Sequence, residues 1–190
     1  MRKLKLQTQM TVSGYIGGPN GELDWMTWVW DEDLKNYVRE IHKSIDTIFL
    51  GRKMSEGFMP HWTDMAKNQP EHEEYEFAKI MVAAHKVIFT KTLDKTEWEN
   101  TSLAKGDIVE EVNKLKAQKG GDIIVYGGSN FVSNLIKHNL IDEYHLLVNP
   151  VAISKGLAIF GEIDGKMDLQ LVKAAGFQSG IVDLFYQPKK

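Results

Sequence analysis

The sequence predicts an α/β fold built on a mostly parallel sheet. Three short apolar runs, TIFLG (47–51), KVIFT (86–90) and DIIVYG (122–127), are separated by stretches of helical periodicity. Parallel strands cannot be joined by hairpins, so this alternation implies helical crossovers and helices on both faces of the sheet. The pattern then changes after Ile141. DEYHLLVNPVAI, LQLVKAAGF and GIVDLFYQ follow one another with no helix-forming stretch between them, as expected of antiparallel strands added at a sheet edge.

The elements follow in order. Lys5 to Thr11 reads as the first strand and runs into VSGYIGGPNGELDW, where Gly14, Gly17, Gly18, Pro19, Asn20 and Gly21 make a long loop. From Asp33 onward, Leu34, Tyr37, Val38, Ile41 and Ile45 recur on one helical face. Pro70 and the acidic residues Glu71, Glu73 and Glu74 precede Tyr75, Ala78, Ile80 and Met81, which predicts a helix ahead of KVIFT. Asp107 is placed to cap a helix, with Glu110 three residues on and Ile108, Val112 and Leu115 at helical spacing. QSG (178–180) has the composition of a hairpin turn.

Composition narrows the function. The 190 residues, 43% of them hydrophobic and without a low-complexity tract, fit one domain spanning 1–190. A net charge of −3 provides no general basic field, so no nucleic-acid partner is expected. The absence of Cys removes disulfides, thiolate nucleophiles and Cys-based metal sites, and accords with a cytoplasmic location. No apolar stretch approaches the roughly 18 residues of a membrane span. The histidines are scattered and HEEYE lacks the second His of a zinc-protease motif, so no metal is expected.

The stretch IIVYGGSNFVSNLI (123–136) carries most of the chemistry. A buried strand runs into Gly127 and Gly128, then into a helix that Ser129 and Asn130 can cap. Glycines at a strand end let an anion approach the backbone, and the following helix directs free N–H groups toward it. The same stretch also has a plain reading, as a tight strand-to-helix turn. LGRKMSEG (50–57) repeats the arrangement with basic residues, and FTKT (89–92) puts Thr90 and Lys91 at a third strand end. In a parallel sheet these ends share one rim, where Arg52, Lys53, Lys91 and the glycine turn can surround one polyanion.

Three features together resemble the dihydrofolate reductase-like superfamily: GR-x-M after a strand, a strand ending FTK, and GGSNF opening a helix before LIDEYHLLVNPV. Within it the likeness is to the reductase domain of the bifunctional riboflavin-biosynthesis deaminase/reductase and its stand-alone relatives. The resemblance spans nearly the whole chain. It implies a three-layer sandwich around a mixed sheet, a homodimer, and NADPH as cofactor. By motif, Gly51, Arg52, Lys53 and Met54 match the segment nearest the pyrophosphate and adenosine phosphate. Thr90 and Lys91 match the turn receiving the 2′-phosphate, and Gly127, Gly128, Ser129, Asn130 and Phe131 the turn under the pyrophosphate. Ile16 and Gly17 match residues bordering the nicotinamide.

The implied reaction is hydride transfer from NADPH to a C=N or carbonyl group of a small, heterocyclic substrate. Reduction of 5-amino-6-(5-phosphoribosylamino)uracil and non-catalytic nucleotide binding are the alternatives. The riboflavin reductases carry S-x-DG or T-x-DG after the first strand, whereas this chain has Thr11-Val12-Ser13-Gly14, so Ser13 contributes a hydroxyl to the substrate site where the family has a charge. Asp33 is the nearest match to the carboxylate that assists protonation in dihydrofolate reductase, although acidic residues are also ordinary at a helix N-terminus. Among the aromatics, Trp25 and Trp62, the latter expected in a second loop, are the candidates for holding a flat ring.

Overall fold

The computed structural model describes residues 1–189. The chain forms β1 (Leu4–Thr11), β2 (Tyr15–Gly17), α1 (Glu32–His42), β3 (Ile45–Gly51), α2 (Arg52–Asn68), α3 (Tyr75–Ala83), β4 (His85–Phe89) and β5 (Thr101–Ala104). It continues through α4 (Ile108–Lys116), β6 (Asp122–Val125), α5 (Ser129–Lys137), β7 (Glu143–Asn149), β8 (Leu157–Ala158), β9 (Leu169–Gly176) and β10 (Val182–Pro188). The main sheet has eight strands in the order β5-β4-β3-β6-β1-β7-β10-β9, and β2 and β8 form a separate two-stranded ribbon.

The strands from β5 to β7 pair in parallel. The first of the three C-terminal strands therefore joins the parallel set, through β1, and antiparallel addition begins only at β10, which pairs with both β7 and β9. The QSG turn closes that hairpin, with Gly180 at φ +86°.

Period-two alternation sends successive side chains to opposite faces. Ile48, Leu50, Ile88 and Ile124 pack with Ile41 of α1, Met59 of α2 and Met81 of α3. On the other face Phe49, Val87, Ile123 and Val125 pack with Val112 of α4 and with Val132, Leu135 and Ile136 of α5. Helices thus cover both faces, and the carboxyl ends of the parallel strands, from Ala104 to Asn149, line one rim.

Three local expectations need correction. The strand end at LGRKMSEG runs straight into a helix that the sequence did not predict: α2 begins at Arg52 and runs to Asn68 through Gly57 and Pro60, so Trp62 lies on a helix and not in a loop. Residues 71–74 form a turn, and α3 starts at Tyr75. Ser129 and Asn130 do not cap α5. Gly128 occupies the N-cap position at φ +81°, without any side-chain cap. Asp107 caps α4 as expected, accepting from the Val109 and Glu110 amides at 2.8 and 3.2 Å.

Candidate active site

Two helices open onto the rim with bare N-termini. Gly51, at the end of β3, is the N-cap of α2, and Gly128, just past β6, is the N-cap of α5; neither helix start receives a side-chain cap. Each leaves backbone N–H groups and the positive end of a helix dipole at the carboxyl edge of adjacent strands. The two ends touch. A β-carbon added to Gly51 would lie 3.1 Å from Phe131 Cβ, and one added to Gly128 would lie 4.0 Å from Met54 Cβ. Phe131 also packs on Phe89, the last residue of β4, at a centroid distance of 4.9 Å. The three turns read from the sequence therefore meet around one phenylalanine. A β-carbon at Gly127 or Gly128 would meet its nearest neighbours at ordinary van der Waals distance, 4.0 Å from Met54 Sδ and 3.9 Å from Phe131 Cβ, and the left-handed conformation at Gly128 is one that side chains disfavour.

Two of the rim's three cations, Arg52 and Lys91, are engaged with the protein itself. Arg52 pairs with Glu56 one turn along α2. Lys53 is exposed. Lys91 Nζ donates to the Lys105 and Gly106 carbonyls at 2.8 and 2.6 Å, bridging the turn after β4 to the loop that enters α4. The buried Thr90 hydroxyl accepts from the Thr92 and Leu93 amides and shapes that turn.

Ile16 and Gly17 lie in β2, whose partner β8 is tied to α5 by the Ser133 hydroxyl donating to the Ala158 carbonyl at 3.4 Å. Ser13 is a latch: its hydroxyl donates to the Ile153 carbonyl at 2.8 Å and accepts from the Ile153 amide at 3.0 Å. Trp25 is half-buried in the loop after β2, its indole donating to the Glu22 carbonyl at 3.1 Å. Trp62 belongs to a different cluster, packed on Phe58 and Phe77 with centroids 6.1 and 5.4 Å away. Asp33 is exposed in the first turn of α1 and makes no hydrogen bond among the described residues, whereas Asp31 caps the helix by accepting from Leu34 N at 2.9 Å. The other Asp31 oxygen accepts from Ser179 N at 2.9 Å. These backbone donors hold its carboxyl below the ordinary value.

Asn149 is a residue that sequence reading missed. It is fully buried at the end of β7, accepts from Thr27 N at 2.9 Å and donates to Gln9 Oε1 at 3.0 Å, so it pins the tryptophan-rich loop to the rim. A polar residue closing the apolar half of a strand, in LLVNP, was the available signal. Tyr126, immediately before the glycines, is hydrogen-bonded to His42 Nε2 at 2.7 Å, and burial raises its pKa. Among the described residues no group of three or more His, Asp or Glu side chains is arranged to hold a metal ion.

A family model described as the RibD C-terminal domain matches residues 2–182. The chain belongs to the RibD C-terminal domain family. Among curated proteins it is similar to the uncharacterized protein YyaP of Bacillus subtilis strain 168, 32% identical over 97% of this chain and 94% of that protein. It is also similar to the uncharacterized protein YwjB of the same organism, 24% identical over 90% of this chain and 89% of that one. Among solved structures, a putative riboflavin biosynthesis protein from Shewanella sp. PV-4 superposes with a TM-score of 0.74 at 19% identity, covering 100% of both chains. A diaminohydroxyphosphoribosylaminopyrimidine deaminase/5-amino-6-(5-phosphoribosylamino)uracil reductase from Thermotoga maritima gives 0.70 at 18% identity, over 99% of this chain and 57% of that one. At these identities the structural likeness establishes the fold, and the RibD-type chain has the dihydrofolate reductase-like architecture that its motifs predicted. Among the described residues no helix is long and apolar enough to cross a membrane.

Proposed function

We propose that this protein is an NADPH-dependent reductase that acts on a C=N or carbonyl group of a small heterocyclic substrate. The observation that carries the reading is the contact between two uncapped helix N-termini on one sheet rim, at Gly51 and Gly128. A dinucleotide pyrophosphate is the ligand such a pair suits, because it places two negative charges where two sets of free amides converge. The left-handed, side-chain-free backbone at Gly128 fits its close approach.

In this reading the amides of Arg52, Lys53, Met54, Ser129, Asn130 and Phe131 hold the pyrophosphate. Arg52 and Lys91 exchange their present partners for phosphate oxygens, with Thr90 shaping the turn that meets the 2′-phosphate. Ile16 and Gly17 border the nicotinamide. NADPH, when bound, supplies the hydride. The chain's own residues orient the two rings and exclude water, with Trp25 and Ser13 on the substrate side and Trp62 supporting the α1 face. We assign the proton to water in preference to Asp33, which is exposed and has no partner to fix its direction. A homodimeric, cytoplasmic enzyme made of one domain is the setting that the family resemblance implies.

Family membership favours a second, narrower reading in which the substrate is the ribosylaminopyrimidine phosphate named for the Thermotoga protein. Ser13 bears on it, since it brings a hydroxyl already committed to Ile153 where a carboxylate stands in riboflavin reductases. The test is a titration with NADPH, NADH and FMN followed by quenching of the five tryptophans, then NADPH oxidation with and without the aminopyrimidine. NADPH binding tightest, with turnover on some carbonyl or imine substrate, is the expected result. Binding of FMN alone overturns the reading, and NADPH binding without turnover in any screen favours a non-catalytic nucleotide-binding protein.

A further inference from the structure

The face of the sheet beneath α1 is polar where a core is ordinarily apolar. Gln7, His145 and Asp183 lie there on the adjacent strands β1, β7 and β10, Gln7 standing opposite His145 in register and Asp183 opposite Leu147. Their exposures are 8, 5 and 0%. His145 sits between two carboxylates, with Nδ1 3.7 Å from Asp183 Oδ2 and Nε2 3.9 Å from Glu143 Oε2. Its ring stacks on Phe185 with centroids 4.3 Å apart.

Other elements close the site. From α1, the Tyr37 hydroxyl donates to Asp183 Oδ2 at 2.7 Å, and burial together with that bond raises the tyrosine's pKa. His42, also on α1, is held by Val38 and Tyr126, and burial lowers its pKa, which disfavours its charged form. From the strands, Lys3 and Lys5 reach Glu143 at 2.6 and 3.7 Å. Three atoms of this layer, Gln7 Oε1, His145 Nδ1 and Asp183 Oδ1, are buried without a hydrogen-bond partner among the described residues.

A neutral imidazole in the centre leaves two buried carboxylates around an uncharged ring, an arrangement whose desolvation on the Asp183 side is offset by the Tyr37 hydroxyl at one oxygen and leaves the other unpartnered among the described residues. An imidazolium presents an N–H to each carboxylate. We propose that His145 is a buried, pH-sensitive clasp: charged, it holds α1 and the β9–β10 hairpin on the sheet, and neutral, it loosens both. The elements it joins are also coupled at the rim, where Asp31 of the α1 cap accepts from Ser179 of the hairpin turn. Burial alone would lower the pKa of His145, but Asp183 and Glu143 outweigh it and the value lies above the ordinary 6.5. The stability the ring contributes is therefore complete below pH 6.5 and is lost as pH rises through the higher folded value. This inference does not depend on any ligand or activity.

The experiment is urea unfolding of the whole protein between about pH 6 and about pH 9, for wild type and His145→Gln, with NMR titration of the wild-type histidine rings. Stacking on Phe185 marks the His145 ring protons by an upfield shift. Wild type is expected to lose urea midpoint as pH rises, His145→Gln to start lower and stay level, and the His145 ring to titrate above 6.5. Equal pH slopes in the two proteins, or a ring that titrates below 6.5, overturn the proposal. If His145→Gln does not fold, Asp183→Asn decides, since it must lower the ring's midpoint, and an unchanged midpoint overturns the clasp.

Discussion

Phe131, in the first turn of α5, stands against the bare backbone of Gly51 at the start of α2, with only 3.1 Å between its Cβ and the position a Gly51 β-carbon would take. In the proposed reading, that approach lets two helix N-termini share one anion. Gly51→Ala must push the two helix starts apart by several tenths of an ångström. The expected outcome is a stability loss of about 1–3 kcal/mol, the range for overpacking, and NADPH affinity weakened by about tenfold, equivalent to about 1.4 kcal/mol. Fluorescence titration beside a thermal melt measures both. Unchanged affinity in a destabilised protein would remove the pyrophosphate from this contact.

Glu56 competes for Arg52. The pair lies on the surface of α2, with side-chain exposures of 36 and 63%, so its intrinsic strength is small. A phosphate arriving at the rim must take the guanidinium from Glu56. Glu56→Gln is therefore expected to tighten NADPH binding by about two- to threefold, within the reach of a surface ion pair of about 0.2–1 kcal/mol, and the gain should shrink as salt is added. Weaker binding would show that Glu56 positions Arg52 for the ligand and does not compete with it.

Lys91 is the residue by which NADPH is expected to be told from NADH. Its ammonium already lies across the mouth of the turn, resting on the Lys105 and Gly106 carbonyls, with no carboxylate partner among the described residues. A charge-assisted contact contributes about 1.5–3 kcal/mol. Lys91→Met is thus expected to cut the preference for NADPH by about tenfold or more while leaving NADH affinity nearly unchanged. Parallel titrations with the two dinucleotides test this, and equal losses for both would assign Lys91 to loop structure alone.

The strands that build the rim were legible because each combines a short apolar run with a glycine or a polar stop, and the parallel arrangement followed from the helices between them. α2 was hidden by its own sequence. Gly57 and Pro60 disfavour a helix, yet the segment holds its shape by burying Ser55, Met59 and Met65, with Met59 packed on the sheet, so tertiary packing overrides propensity. β5 was hidden because TSLA is short and lies at the sheet edge, where its burial pattern is mixed. β2 and β8 are too short to leave a period. The individual site residues were readable where glycine or charge marks a turn. The polar layer under α1 was not, because Gln7, His145 and Asp183 are far apart in sequence and come together only through the β1-β7-β10 order. Asn149 escaped for the same reason, since its partners Gln9 and Thr27 are 140 and 122 residues away.

Asn149 fastens the tryptophan-rich loop to the sheet. Asn149→Ala strips the Thr27 amide and the Gln9 carbonyl of their partner at a fully buried position. The expected cost is about 1–3 kcal/mol for the groups left unpaired, a fall in Tm of about 2–4 °C per kcal/mol. The loop carries Trp25, Trp28 and Trp30, so its release should shift tryptophan emission to longer wavelength in the folded protein. A stability loss with unchanged emission would mean that the loop is held by its other contacts.

Glu143 sets the acid limit of the fold. Burial on its own would raise its pKa, but His145 and Lys3, aided by Lys5, outweigh burial and bring it from 4.5 down to about 2. A carboxyl with a depressed folded value stabilises the protein fully above its unfolded pKa and loses that contribution as pH falls through the folded one. Its side chain is 8% exposed, so solvent screens the interaction little. The shift corresponds to about 3–4 kcal/mol, which should disappear between about pH 4.5 and pH 2. Glu143→Gln keeps the shape of the side chain and removes its charge. Urea midpoints measured down to pH 2 are expected to fall steeply for wild type and less steeply for the variant, with the two curves converging at the acid end. Parallel curves over that interval would place the acid sensitivity in other carboxylates.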